Sequence, residues 1–141
     1  MRKVGLKLAV AGCLAVILFS STTVSGELGE VGFRAVASRL FGNLHQGSPR
    51  YRAISFVAEK CFHLTAFAIL AMLLWKITPD VPWKPYAVLG VGLLVGISSE
   101  LLQGLFPGRD PTLRDVGINL AGTALGVALS MAFLKKAREY D

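Results

Sequence analysis

Charged residues are scarce in this sequence: they make up 17% of its 141 residues, against 53% for hydrophobic residues. Soluble domains carry roughly 25% charged residues, which help to coat their surface. Nine acidic and fifteen basic side chains are too few to coat a soluble core of this size. The shortage excludes an ordinary soluble enzyme and indicates a small integral membrane protein, in agreement with the mean hydropathy of +0.56.

Cysteine is also rare, and the few cysteines do not indicate a metal site. Cys13 and Cys61 lie within or beside apolar segments, without a CxxC spacing or a cluster with histidine. We interpret both as small buried apolar residues and predict no disulfide, no metal and no cofactor. The net charge of +6 does not indicate nucleic-acid binding, because the basic residues flank apolar runs and most aromatic residues lie inside those runs.

The apolar residues are concentrated in segments that are long enough to be transmembrane helices, each of which needs roughly 20 residues. We predict four such spans, at about residues 8–26, 55–75, 85–106 and 116–134. They predict an all-α fold, in which residues 1–141 form one membrane domain built as a four-helix bundle. The connection 77–84, which is rich in proline, predicts a tight turn.

The first span has two other interpretations. Its basic start and apolar middle resemble a cleaved signal peptide, and residues 10–13 resemble a bacterial lipobox that ends at Cys13. The apolar run continues past Cys13 through Phe19, and nothing downstream resembles a soluble secreted domain. We therefore expect an uncleaved span.

Apolar residues at near-helical spacing follow this span and predict a short amphipathic helix on the membrane surface. They are Leu28, Val31, Ala35, Leu40 and Leu44, with Arg34 and Arg39 among them. The alternative is an ordinary solvated loop.

The polar residues of the last three spans collect at one membrane face. With four spans, the start of the second, the end of the third and the start of the fourth must lie on the same side. Ionisable groups at membrane depth cost roughly 2.5 to 3.5 kcal/mol each unless they are paired or hydrated. The sequence therefore predicts one shared polar pocket, formed by Glu59, Lys60, His63, Glu100, Gln103, Arg109, Asp110, Arg114, Asp115 and Asn119.

Helical spacing supports this convergence. Gly92, Gly96, Glu100 and Gln103 share one face of the third span, and the series Asp115, Asn119, Gly122 and Gly126 repeats the pattern in the fourth. The glycines predict close approach of neighbouring helices, and the polar residues at the shallower end predict a site.

Each polar residue also has a structural alternative. Glu59 and Lys60 could mark the membrane interface, and His63 could bond a backbone carbonyl. Asp115 could cap a helix. Gln103 and Asn119 could join helices through hydrogen bonds.

From Glu59 onward the sequence resembles the VanZ-like family of small bacterial membrane proteins. The resemblance rests on the ordered set Glu59-Lys60-x-x-His63, Glu100-x-x-Gln103, Phe106-Pro107-x-Arg109, Thr112-x-x-Asp115, Asn119, Gly122 and Gly126. It covers the second to fourth spans, whereas the first span and the loop to Arg52 carry no comparable pattern. The family includes a founding member linked to teicoplanin resistance, but most members occur without resistance genes, so resistance is not assigned to this chain.

The resemblance implies a cell-envelope protein of the bacterial cytoplasmic membrane. We expect it to bind a lipid head group, a lipid-linked cell-wall intermediate or a glycopeptide-type ligand. Lys60, Arg109 and Arg114 would hold anionic oxygens, and Gln103 and Asn119 would orient the ligand. The expected partners are membrane lipids and other membrane proteins, but not nucleic acid.

Two alternatives come from other functional classes. In an intramembrane enzyme acting on a lipid-linked substrate, His63 would be the general base, with Glu100 or Asp115 orienting it or serving as the acid. No Gly-x-Ser-x-Gly or HExxH motif accompanies these residues. A small transporter or channel subunit would also carry buried carboxylates.

The basic residues predict that both termini are cytoplasmic and that the polar pocket faces outside. Eight bases lie at the termini and in the turn on the predicted cytoplasmic side: Arg2, Lys3, Lys7, Lys76, Lys84, Lys135, Lys136 and Arg138. Seven lie on the other side: Arg34, Arg39, Arg50, Arg52, Lys60, Arg109 and Arg114.

Overall fold

A computed structural model describes residues 2–21, 36, 39, 48–106 and 111–139 of the protein. Within these ranges the chain forms four long helices and no strand. The helices are α1 (Arg2–Ser20), α2 (Pro49–Ile77), α3 (Lys84–Gln103) and α4 (Leu113–Glu139). This confirms the predicted all-α, four-helix architecture.

Three of these helices are long and apolar enough to cross a membrane. They are α2, α3 and the part of α4 from Leu113 to Phe133, whereas the apolar part of α1, Val4–Ser20, is shorter. Over its 19 residues, α1 extends about 28 Å, close to the roughly 30 Å of a bilayer core. The chain is therefore a helical membrane protein.

The first helix is displaced from its predicted position at residues 8–26. It begins at Arg2 and ends at Ser20. At its end, the Ser21 hydroxyl and amide donate back to the Ile17 and Leu18 carbonyls at 3.2 Å each, which closes the last turn. Residues 22–26 lie outside the described residues, as does the predicted amphipathic helix except for Val36 and Arg39, which are both helical.

Local capping fixes the ends of α2. The Ser48 hydroxyl accepts a hydrogen bond from the Tyr51 amide at 3.2 Å, and Pro49 occupies the first helical position. At the other end, Thr78 is extended and its amide donates to the Leu74 carbonyl at 2.9 Å. The short connection from Thr78 to the start of α3 is the predicted tight turn.

Helix α2 lies at the centre of the bundle and contacts each of the other three helices. Toward α1, Phe67 and Leu70 pack with Val10 and Ile17 in one buried cluster. A second cluster lies nearer the turn and joins three helices through Ala71, Trp75, Val88 and Val127.

Glycines allow α4 to approach its neighbours closely, as predicted. A Cβ at Gly122 would overlap the Leu64 carbonyl of α2, and one at Gly126 would overlap the Ala68 carbonyl. On α3, a Cβ added at Gly96 would lie 3.3 Å from the Cβ of Asn119 on α4. These contacts fix the rotation and spacing of α4 and so position its polar residues.

The cysteines differ from the prediction in burial. Cys13 is partly buried, with its sulfur 3.8 Å from the Ala66 carbonyl oxygen, but Cys61 is exposed, and both are free thiols. The prediction of burial is wrong for Cys61 because this residue falls on the outward face of α2, where a small thiol can face lipid.

Candidate functional site

A cluster of buried polar side chains lies where α3 ends and α4 begins, beside the middle of α2. Each member exposes no more than 9% of its surface. The cluster, called the polar site below, consists of His63, Glu100, Gln103, Asp115 and Asn119. The hydrogen bonds given below bring His63 to Asn119, and Glu100 and Asp115 to Thr112, at one end of the bundle, as predicted.

Lys60 and Asp115 form the central ion pair of this region. The Lys60 ammonium nitrogen lies 2.9 Å from Asp115 Oδ1, and both side chains are largely buried. Asp115 is not the cap of α4, because the Thr112 hydroxyl accepts a hydrogen bond from the Asp115 amide at 3.1 Å. Its carboxylate is thus free to join α4 to α2.

Glu100 is held by the backbone at the start of α4. Its Oε2 atom accepts a hydrogen bond from the Thr112 amide at 3.1 Å, and its Oε1 atom is buried without a hydrogen-bond partner. Within the described residues, Lys60 forms its ion pairs with Asp115 and Glu59 and not with Glu100. The second oxygen of Glu100 is therefore a buried acceptor available to another group.

His63 and Asn119 connect α2 to α4 one turn deeper. His63 Nδ1 and Asn119 Oδ1 are 3.2 Å apart. The amide oxygen can only accept, so Nδ1 donates and Nε2 is left as the acceptor of the neutral ring. Asn119 Nδ2 is buried without a partner, which leaves one donor available on the same side chain.

An aromatic ring and two cations lie at the outer edge of the polar site. The Phe56 ring, which is exposed, lies 5.2 Å from the Lys60 ammonium and 5.0 Å from the Arg114 guanidinium. Both distances are within the range of cation–π interactions. Arg114 is also 3.9 Å from Asp115, whereas Glu59 is more exposed and lies 3.4 Å from Lys60.

Gln103 and Arg109 are the remaining predicted residues. Gln103 ends α3 with a buried side chain, and its carbonyl accepts from the Phe106 amide at 3.0 Å. Arg109 lies outside the described residues. Across the described ranges, no three His, Cys, Asp or Glu side chains form a group suited to a metal ion.

The sequence analysis did not predict the hydrogen bonds that three hydroxyl-bearing residues make. The Ser21 and Ser99 hydroxyls lie 2.8 Å apart and join α1 to α3 beside Glu100. Thr112 binds both Glu100 and Asp115, as described above. The Thr112-x-x-Asp115 motif was noted in the sequence, but its spacing also fits a helix cap, and that role was not predicted. Isolated serines within apolar spans are the corresponding pattern for helix-joining hydrogen bonds.

The fold and the site together define a small helical membrane protein with a buried polar cluster at one end of its bundle. The sequence profile described as VanZ/LLP1 matches residues 7–134, which is nearly the whole chain. The protein therefore belongs to the VanZ/LLP1 family. The match extends into α1, beyond the part of the chain in which the motifs carried a resemblance. Comparison with curated proteins and with solved structures gave no match.

Proposed function

We propose that this protein binds a polar or anionic head group at the polar site, from the outer side of the bacterial cytoplasmic membrane. The ligand is a lipid head group, a lipid-linked cell-wall intermediate or a glycopeptide-type molecule. Family membership supports a cell-envelope role but does not select among these ligands.

The proposal rests on two buried polar atoms of the site that, within the described residues, have neither a hydrogen-bond partner nor an ion-pair partner such as the one that Asp115 Oδ1 has. A buried donor or acceptor without a partner costs about 1 to 3 kcal/mol. Glu100 Oε1 is such an acceptor, and Asn119 Nδ2 is such a donor. A head group that offers both a donor and an acceptor, such as a hydroxyl or an amide, would satisfy both atoms at once. Such a ligand would supply the missing hydrogen bonds without competing with existing ones.

The charged edge of the site supports binding of an anionic group. Lys60 and Arg114 flank the Phe56 ring, and the Arg114 side chain is 64% exposed. An arginine with this exposure can turn toward a phosphate or carboxylate and bind it in bidentate fashion. Arg109 would add a second guanidinium, and Gln103 would help to orient the ligand.

The orientation of the protein rests on its basic residues. The termini and the turn carry a slight excess of bases next to short connections, where such residues favour the cytoplasmic side. The polar site is at the opposite end of the bundle and would face outside.

Lipids that remain bound through purification test the proposal. We would purify the full chain from bacterial membranes in mild detergent and identify retained lipids by native mass spectrometry. Glu100→Gln keeps the shape of the side chain but removes its charge, and it should lower retention about tenfold, because hydrogen bonds to charged groups contribute roughly 1.5 to 3 kcal/mol.

Glu59→Gln is the matched control, because it removes a carboxylate whose side chain is 47% exposed. It should leave retention unchanged. Equal retention by the parent, Glu100→Gln and Glu59→Gln proteins, with all three folded, would contradict binding at the polar site.

The second candidate is an intramembrane enzyme acting on a lipid-linked substrate. The hydrogen bond between His63 Nδ1 and Asn119 favours it, because this bond fixes the ring and leaves Nε2 as a general base. Altered lipid products in membranes incubated with the parent protein, and their loss in the His63→Gln variant, would support an enzyme. Retained but unaltered lipid would support binding alone.

A further inference from the structure

A buried lysine lies near the opposite end of the bundle from the polar site, where α2 ends and α3 begins. The Lys84 side chain is only 9% exposed, although lysine carries a strongly hydrated charge. Within the described residues, its one ion-pair partner is Asp80, at 3.9 Å, and that carboxylate is 78% exposed. An exposed partner at this distance compensates little of the cost of burying the ammonium group.

The same place holds a buried indole group. Trp75 is 8% exposed, and its Nε1 atom is buried without a hydrogen-bond partner. The Lys84 ammonium lies 4.7 Å from the centre of the Trp75 ring. Two donors, one of them charged, are therefore close together; within the described residues the indole N–H has no partner and the ammonium has only an exposed ion-pair partner.

We propose that Lys84 and Trp75 form a phosphate-binding site, separate from the polar site, that takes the phosphate of a membrane lipid. One phosphate group has several oxygens, so it can accept from the ammonium and from the indole N–H together. The Asp80 carboxylate marks the side of the Lys84 ammonium that an acceptor can approach. A bound phosphate would replace this carboxylate.

The surroundings identify a lipid as the source of the phosphate. Lys84 is the first residue of α3, so it lies where a transmembrane helix reaches the head-group region. Trp83 and Tyr86 flank it and are 60% and 75% exposed, as expected for aromatic side chains at a membrane interface. The positive end of α3 adds a favourable field for an anion at this depth.

The two tryptophans of the chain allow the site to be observed directly. In a Trp83→Phe background, Trp75 is the only tryptophan. We would titrate the full-length protein in detergent with short-chain phosphatidylglycerol, and separately with diacylglycerol of the same chain length and with inorganic phosphate. Phosphatidylglycerol should change the Trp75 fluorescence in a saturable manner, and diacylglycerol, which lacks phosphate, should not.

Substitutions then assign the effect to Lys84. Lys84→Met removes the charge but keeps an apolar chain against Trp75, and it should raise the apparent dissociation constant roughly tenfold or more. Lys84→Arg should retain binding. Lys76→Met, which removes an exposed lysine from the last turn of α2, is the matched control and should change the constant less than about twofold. Asp80→Asn should tighten binding because it removes the competing carboxylate.

Three outcomes would overturn the proposal. An equal response to diacylglycerol would show that the acyl chains, not the phosphate, are recognised. An equal response to inorganic phosphate at the same concentration would exclude lipid as the specific source. Equal loss of binding in the Lys84→Met and Lys76→Met proteins would indicate general charge attraction. The polar site is tested separately, by lipid retention in the Glu100→Gln variant. A negative result for one of the two proposed sites therefore does not decide the other.

Discussion

The ammonium group of Lys60 on α2 lies 2.9 Å from the carboxylate of Asp115 on α4, and both side chains are largely withdrawn from solvent. The pair joins two helices at the end of the bundle that carries the polar site. Among the described residues it also leaves Glu100 without a directly paired cation, so that this carboxylate depends on the Thr112 amide. The two carboxylates therefore differ in role: Asp115 joins α4 to α2, whereas Glu100 has one oxygen free for a ligand.

Removing one member of this ion pair should destabilise the protein strongly. Lys60→Met and Asp115→Asn should each lower the free energy of unfolding by on the order of 3 kcal/mol, because the remaining charge stays buried without its partner. The double variant should lose clearly less than the sum of the two. A double-mutant cycle followed by denaturant unfolding in detergent measures this coupling. Glu59→Gln is the control, since an exposed pair contributes at most about 1 kcal/mol. Strictly additive single effects would show that the pair does not stabilise the bundle.

Two glycines of α4 should respond differently to substitution by alanine. Gly122→Ala places a methyl group against the Leu64 carbonyl and should lower the melting temperature, because helix backbones cannot give way as side chains do. A methyl group at Gly117 would meet no neighbouring atom within 4 Å, so Gly117→Ala should be neutral or raise stability by up to about 1 kcal/mol. Thermal unfolding of the two variants compares them directly, and equal effects would contradict the close contact of α2 and α4.

The buried hydrogen bond between His63 and Asn119 should behave as a coupled pair. Asn119→Leu leaves the His63 Nδ1 donor unpaired and should destabilise the protein by about 2 kcal/mol. His63→Leu in the same protein should recover part of this loss, because both polar partners are then replaced by apolar groups. Denaturant unfolding of the two single variants and the double variant tests this. No recovery in the double variant would mean that packing, not the hydrogen bond, determines the effect.

Thiol labelling should establish the orientation in the membrane. In a background with Cys13 and Cys61 replaced by alanine, Arg52→Cys and Asp80→Cys place one thiol at each end of α2. An impermeant maleimide added to intact cells should label the first variant, and the second only after the membrane is permeabilised. The reverse pattern would place the polar site on the cytoplasmic side, and labelling of both in intact cells would show that α2 does not cross the membrane.

The chain's local patterns predicted more of the fold than of the contacts within the site. The shared face of Asp115, Asn119, Gly122 and Gly126 follows from their spacing along one helix and is present in the structure. The first helix was misplaced because an apolar run sets only an approximate window, whereas the serine bonds at Ser20 and Ser21 decide where the helix ends.

Local sequence patterns alone establish the class of protein and the end of the bundle at which the polar residues meet. Apolar length dictates spans, the number of spans dictates which ends lie together, and helical periodicity dictates which residues share a face. Helix packing, in contrast, is what pairs Lys60 with Asp115, brings the Thr112 amide to Glu100, and buries Lys84 against Trp75. These contacts depend on the rotation and depth of each helix relative to its neighbours. Backbone contacts at glycines set that rotation and depth, and periodicity within a single helix does not encode them.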